Sequence, residues 1–214
     1  MIRTLLAVAL ATAPVALAGC DAATLASALD AATASSNAPK VRVTGSIYAP
    51  AAQVAVVSAG GLNYAVAARS DEKGVANAKV SFATVTAQMV PQGSVQTDSS
   101  GRFTIEVPEN TDYAVTATFE AKDGTPVTLT GLVKVTGSAP SFQLDAAHNM
   151  VASKLLTDGL TKIDQGKLDT ALSQMASDLS AVSTVPTPTS RSAAAAAFDT
   201  HAGAATKATV SGMK

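Results

Sequence analysis

The chain has 214 residues, a formal net charge of −1, 47% hydrophobic residues and only 4% aromatic residues. It shows no basic patch or stripe, so the electrostatic footprint of a nucleic-acid-binding protein is absent and no nucleic acid is expected as a partner. Tryptophan is missing and there is a single cysteine, so the core must be built from Val, Leu and a few Phe without an internal disulfide.

Residues 1–19 have the layout of an export signal peptide. Arg3 precedes an apolar run from Leu5 to Leu17, which Pro14 interrupts, and small residues follow. The run is too short and too broken to predict a permanent membrane-spanning helix. We therefore expect residues 1–19 to direct export and to be removed.

The four residues that end this segment, LAGC, resemble the bacterial lipobox. The resemblance implies that the Cys20 thiol carries a diacylglycerol, that the signal is cut before Cys20 and that the new amine is acylated. An ordinary secretory signal cut near Ala18 is the alternative. Several acyl chains hold a protein firmly to a bilayer, so the resemblance predicts a lipid anchor in the bacterial cell envelope. Asp21 resembles a sorting signal for inner-membrane retention in enteric bacteria, but its meaning differs between groups and leaves the choice of membrane open.

The residues after the cysteine are small and polar. We interpret residues 20–39 as a lipidated tether between the membrane and a folded body. Leu25 and Leu29 have helical spacing, so a short helix at the start of this segment is the alternative.

Between residues 40 and 145, apolar and polar residues alternate, which is typical of half-buried strands. The alternating runs are KVRVTGSIY, AKVSFATV, RFTIEV, DYAVTATFE, PVTLTGLVKV and SFQL, separated by the turn signals DEKG, TDSSG, PENTD, KDGTP and GSAP. The pattern predicts an antiparallel β-sandwich. The aromatic residues expected to face inward are Phe82, Phe103, Tyr113, Phe119 and Phe142.

The order of these runs is similar to that of the carboxypeptidase regulatory-like domain, a small transthyretin-like β-sandwich. The similarity is carried by VRVTGSIY, GVANAKVSF and GSVQTDSSGRFTIEVPENTDYAVTATFE. Its most specific part is the pattern T-D-x-x-G-x-F, formed by Thr97, Asp98, Gly101 and Phe103, with Tyr113 in the strand after it. The family often has glycine immediately before that tyrosine, where this chain has Asp112. The resemblance implies a non-catalytic accessory or binding module, and it carries over no catalytic residue.

An insertion over residues 49–73 separates the first two strands of this pattern. Two apolar runs, residues 53–58 and 62–68, flank Gly60 and Gly61, which predicts a hairpin that extends one sheet edge. We expect its apolar side to fold back on the sandwich or on the C-terminal helices. A partner-binding surface is the alternative.

After residue 145 the apolar period becomes helical. We predict two helices over residues 146–164 and 167–183 that form a hairpin or pack on the sheet, with one kinked helix as the alternative. The second carries an a/d seam of Leu168, Leu172, Met175, Leu179 and Val182, interpreted as an internal packing stripe rather than a coiled-coil dimer. Residues 185–214 are predicted to be a tail with a Pro-rich linker, a third short helix that ends near Gly203, and a frayed end.

The sequence lacks the motifs of the common catalytic sites. No nucleophile elbow, phosphate loop or dinucleotide fingerprint occurs. His148 and His201 are predicted to face solvent, and neither is expected to bind a metal. No cofactor is expected. Tyr48 and Tyr64 are the aromatic residues left outside the predicted core, so they are the candidate platforms for a ligand such as a glycan or peptide.

The sequence thus predicts a mainly β chain with a helical C-terminal part, anchored by lipid and without catalytic activity. Its expected role is structural or protein-interacting, with an envelope protein as partner. A ligand-binding β-sandwich that uses Tyr48 and Tyr64 is the first alternative, and a hydrolase is the second.

Overall fold

The computed structural model describes residues 38–50, 72–86, 89–137, 140–184, 186 and 188–214. The chain divides into two units, Met1–Ala38 and Pro39–Lys214, and the architecture below is that of the second. Its described residues form eight strands followed by four helices, so the predicted mainly β fold with a helical C-terminal part is confirmed. The predicted signal peptide, Cys20, Asp21 and Tyr64 lie outside the described residues.

The strands form two four-stranded sheets. Their bounds are β1 Lys40–Pro50, β2 Glu72–Gly74, β3 Lys79–Thr84, β4 Pro91–Gln96, β5 Arg102–Pro108, β6 Thr111–Glu120, β7 Pro126–Val135 and β8 Ser141–Leu144. One sheet has the order β2–β1–β5 with β8 also paired to β1, and the other has the order β4–β3–β6–β7. The pairings are antiparallel, as predicted, except that β8 runs parallel to β1 from Thr44↔Ser141 to Ile47↔Leu144.

The core of the sandwich lies between the two sheets and is built by the residues that the alternation predicted. Phe82, Phe103, Tyr113 and Phe142 are buried, and Phe119 is partly buried against them. The ring of Phe82 makes edge contacts with Phe103 at 6.1 Å and with Tyr113 at 5.8 Å between ring centroids, a geometry that aromatic pairs favour. These contacts join strands from both sheets.

The second sheet is covered on its outer side as well. Val85, Ala114 and Leu132 point away from the sandwich core and belong to a second apolar cluster formed with the helices. Thr130 on β7 is also fully buried. The protein therefore has three layers, two of strands and one of helices.

Two of the strands were not predicted from alternation. β2 falls in the DEKG segment, which was predicted to be a turn, and its strand conformation comes from pairing with the end of β1. β4 lacks a clear apolar alternation, and its residues are mostly exposed. Both are short strands, and pairing with a longer neighbour determines their conformation more than side-chain burial does.

The helices are α1 Ala146–Thr157, α2 Gln165–Ser180, α3 Arg191–His201 and α4 Ala204–Ser211. The first three begin at side-chain N-caps, in which Asp145, Asp164 and Ser190 each accept a hydrogen bond from a backbone N–H three residues later. The structure therefore has two separate helices, and the alternative of one kinked helix is wrong. Leu168, Met175 and Leu179 of the predicted seam are buried, and Leu172 and Val182 pack against the same cluster, so the seam is an internal packing stripe.

α1 ends seven residues earlier than predicted. Gly159 has a φ of +88°, and the N–H groups of Gly159 and Leu160 donate to the carbonyls of Leu156 and Leu155, which is a Schellman motif. Leu160 and Ile163 continue the apolar spacing but lie buried in the loop that follows. Because these two residues are buried at helical spacing, the sequence predicted a longer helix than the structure has.

The C-terminal end, predicted to be frayed, is helix α4. Its N-cap residue, Gly203, has no side chain to accept from the first turn, and Asp178 of α2 fixes the start of the helix instead. Oδ2 of Asp178 accepts hydrogen bonds from Gly203 N at 2.8 Å and from Thr206 Oγ1 at 2.5 Å. Val210 is buried in the helical cluster. These contacts with a distant residue have no local sequence signature, which explains the error.

Candidate functional site

The T-D-x-x-G-x-F pattern forms the tight connection between β4 and β5. Thr97 is buried, and its Oγ1 donates to Val75 O at 2.7 Å and accepts from Ala78 N at 2.8 Å. Thr97 thereby ties this turn to the segment between β2 and β3. The pattern fixes the path of the chain, and the Thr97 hydroxyl is engaged both as donor and as acceptor.

Asp98 organises the same turn. Its Oδ1 accepts hydrogen bonds from Ser100 N, Ser100 Oγ and Arg102 N at 2.7–2.9 Å. Partial burial acts to raise the pKa of Asp98, but these hydrogen bonds and the charge of Arg102 outweigh it and hold the pKa below its ordinary value. Asp98 is therefore an ionised turn residue.

The insertion leaves the sandwich at a short ladder that we call the insertion root, formed by Tyr48–Pro50 and Glu72–Gly74. The two segments pair antiparallel in the register Tyr48↔Gly74, Ala49↔Lys73 and Pro50↔Glu72. The predicted insertion of residues 49–73 thus begins and ends inside strands, and its predicted hairpin lies outside the described residues.

Tyr48 is not an exposed platform. Its exposed fraction is 9% and it belongs to the buried residues. It lies at the end of β1, where the strand is covered from residue 47 to residue 50. The prediction of Tyr48 as a ligand-stacking residue is wrong, because stacking on a sugar or peptide requires an accessible ring face.

Polar groups converge where the insertion root meets the first helix. Glu72, with 1% exposure, accepts a hydrogen bond from Ala146 N at 3.2 Å through Oε1. Asp145 caps the same helix, and its Oδ1 lies 2.8 Å from His148 Nδ1. The His148 ring makes an edge contact with Phe142 at 5.9 Å between ring centroids.

His148 is therefore partly buried, and the prediction that it faces solvent is wrong. Its side chain is 20% exposed because it folds back on the helix N-terminus. Burial acts to raise the pKa of Asp145, but the charge of His148 and the hydrogen bonds from its ring and backbone outweigh it and hold the pKa below its ordinary value. The pair fixes the start of α1, and its geometry is that of a helix cap.

We expect Asp145→Ala to lower the free energy of unfolding by about 1–2 kcal/mol, the usual effect of losing an N-cap. Asp164→Ala, at the exposed cap of α2, is the matched control and should have a smaller effect. Urea unfolding at neutral pH measures both. Equal losses would show that the contacts of Asp145 with His148 add nothing.

The same pair predicts a pH dependence. Because the folded pKa of Asp145 is depressed, its contribution is complete above the ordinary value of about 3.9 and is lost as the pH falls through the folded pKa. As the pH falls below about 4, the free energies of unfolding of the parent and of Asp145→Ala should therefore converge. A constant difference across that range would contradict the assignment.

Asp112, the residue before Tyr113 on β6, joins the helical part to the sandwich. Its Oδ2 accepts a hydrogen bond from Ile163 N at 2.7 Å, in the loop before α2, and Lys134 Nζ lies 3.9 Å from its other oxygen. Glycine could not make this bond. The Asp112 carboxylate therefore links β6 to the helical layer.

The remaining surface features of the described residues are modest. A shallow, open depression on α2 is lined by Asp169, Thr170, Ser173, Gln174 and Ser177. In the described ranges, no three His, Cys, Asp or Glu side chains form a group that could hold a metal ion. None of the helices in these ranges has the length and apolar character needed to span a membrane.

Comparisons with known proteins found a distant likeness to a solved structure. No protein-family model matches the chain, and no curated protein matches it. The chain is similar to a crystal structure described as a candidate carbohydrate binding protein from Pseudomonas aeruginosa, with 19% identity and a TM-score of 0.34 over 53% of this chain and 93% of that chain. A likeness this distant carries no argument about function.

Proposed function

We propose that the protein is a lipid-anchored protein of the bacterial cell envelope whose sandwich and helices form a non-catalytic interaction module. The observation that carries the proposal is the LAGC sequence ending at Cys20, directly after the apolar segment. A cysteine at this point suits thioether formation, and several acyl chains are sufficient for stable anchoring. The envelope is therefore the compartment, and the membrane is the first partner.

The division of the chain supports a tethered body. The boundary between the two units falls between Ala38 and Pro39, which is where the sequence predicts the end of the tether. β1 starts at Lys40, immediately after it. A body that begins at this point agrees with a spacer that runs from a lipid on Cys20 to residue 38.

The polar groups of the body support a role without catalysis. Asp98 organises a turn, Asp145 and His148 cap a helix, and Asp112 joins two layers. Catalytic acids and bases face a substrate-sized site, whereas each of these groups is engaged by backbone N–H groups or by its neighbour. We therefore propose that the body acts through its surface, on an envelope protein.

Lipid labelling tests the anchor. The full chain, expressed in a bacterium fed with an alkyne-tagged fatty acid, should take up label, and mass spectrometry should find lipid on an N-terminal Cys20. Cys20→Ser should lose the label and leave the membrane fraction. The double variant Cys20→Ser/Ser27→Cys keeps one thiol seven residues later and should remain unlabelled. Label on that double variant, or an unmodified Cys20 in the parent, would contradict the proposal.

A further inference from the structure

β7 is an edge strand that its own sheet leaves unpaired on one side. The sheet order β4–β3–β6–β7 places it at the end, with β6 as its neighbour. It is 10 residues long and pairs with β6 over its whole length, from Pro126 to Val135. A long edge strand of apolar sequence is a template for pairing with another chain.

The helical part covers this edge with hydrogen bonds. Thr128 N donates to Thr189 O at 3.0 Å, in the linker before α3, and Thr130 N donates to Asn149 Oδ1 at 2.9 Å, on α1. The two donors are alternate residues, so both N–H groups point away from β6. An added strand would use these same two donors.

The burial of Asn149 that this hydrogen bond to Thr130 requires is energetically unfavourable. It is fully buried, and among the described residues its Nδ2 has no hydrogen-bond acceptor. A buried carboxamide that is only partly satisfied is unfavourable compared with an apolar side chain of similar size. Because packing alone would favour Leu here, the hydrogen bond to Thr130 is the feature that requires Asn.

The opposite edge of the sheet is blocked in a different way. β4 has only six residues, begins at Pro91, contains Gly93 at a φ of +156° and faces a register shift in β3 between Phe82 and Ala83. Proline, short length and irregular pairing all discourage strand addition. β7 has none of these features in its centre, so its protection depends on the cover.

We infer that the hydrogen bonds that Thr189 and Asn149 accept from β7 prevent this edge from pairing with another strand. Without them, β7 pairs with β7 of a second copy of this chain. The occupant is a second copy because an antiparallel β7 pair is self-complementary about a two-fold axis, so identical edges satisfy each other's donors and acceptors. The helices of each copy thereby keep the protein monomeric.

The test compares variants of the full chain in a Cys20→Ser background, using sedimentation to measure mass over a wide range of concentrations. Asn149→Leu removes the acceptor and leaves the buried Thr130 N–H without one, which weakens the docking of α1 on β7, so it should convert a monomer into a concentration-dependent dimer. Ser153→Ala removes the hydroxyl that donates to the same Asn149 oxygen at 3.4 Å without touching the edge, and it should stay monomeric.

A second substitution shows whether the dimer uses β7. Thr128→Pro removes an edge N–H at a position where proline is tolerated, so Asn149→Leu/Thr128→Pro should return to monomer. A folded Asn149→Leu that stays monomeric overturns the inference, as does a dimer that Thr128→Pro leaves intact. If Asn149→Leu does not fold, Asn149→Ser, whose hydroxyl is too short to reach β7, is judged by the same outcomes.

In the parent, the amides of Thr128 and Thr130 should exchange slowly with solvent. Exchange at the rate of unprotected amides also overturns the inference.

Discussion

The Gly101→Ala variant should lose roughly 3 kcal/mol or more of its free energy of unfolding, because strain and steric overlap act together. Gly101 has a φ of +80°, a left-handed conformation that disfavours every residue with a side chain. A Cβ at this position would lie 2.7 Å from Val75 N, 2.8 Å from Ile47 O and 2.9 Å from the Cα of Gly74. All three are backbone atoms, so no side chain can move away to relieve the contacts.

Gly124→Ala is the matched control. Gly124 has nearly the same φ, +83°, but the nearest atom to a Cβ there is the flexible end of Glu120 at 3.6 Å. Its loss should be about 1–2 kcal/mol, the conformational part alone. Chemical unfolding of both variants in the Cys20→Ser background measures the difference. Equal losses would show that the turn adjusts to a Cβ and that the close packing around Gly101 is not a constraint.

The Tyr113→Ala variant should lose about 3–5 kcal/mol, the usual cost of removing a large side chain from a packed core. Tyr113 is fully buried against Phe82, and its hydroxyl donates to Pro108 O at 2.8 Å. Burial raises the pKa of the Tyr113 hydroxyl despite a lowering contribution from Thr111, so the group stays a neutral donor. The ring supplies core volume, and the hydroxyl ties the strand to the preceding turn.

Tyr113→Phe separates these two contributions. It keeps the ring and removes only the hydrogen bond, so its expected loss is about 1–2 kcal/mol, including the buried carbonyl left without its donor. The ratio of the two losses, measured by denaturant unfolding, tests the division. A Tyr113→Phe loss as large as that of Tyr113→Ala would mean that the hydroxyl, and not the ring, determines stability here.

The long strands were predictable because their residues alternate between a buried side and a solvent-facing side. Val43 and Ile47 of β1, and Phe103 and Val107 of β5, follow this alternation and are buried as predicted. The buried aromatic residues followed from the same alternation, whereas Gly101 was expected from the turn signal TDSSG. The positions of α1 and α2 followed from the apolar spacing, and a third short helix was expected in the segment that forms α3.

The features that the sequence did not reveal depend on partners distant in the chain. β2 is a strand because the end of β1 pairs with it, the start of α4 is held by hydrogen bonds to Asp178 of α2, and Tyr48 is buried by its surroundings. His148 gave no local sign that it would fold onto Asp145. Local periodicity reports the environment of each residue but does not report which element provides that environment.

The parallel pairing of β1 with β8 has a mechanical consequence. Tension applied between residue 39 and the helices would pull β1 by its leading end and β8 by its trailing end, at Leu144. Since the two strands point the same way, the force would run along their shared ladder, from Thr44↔Ser141 to Ile47↔Leu144, and would load all its hydrogen bonds together in shear instead of unzipping them one by one. The body should therefore resist tension that is applied at residue 39.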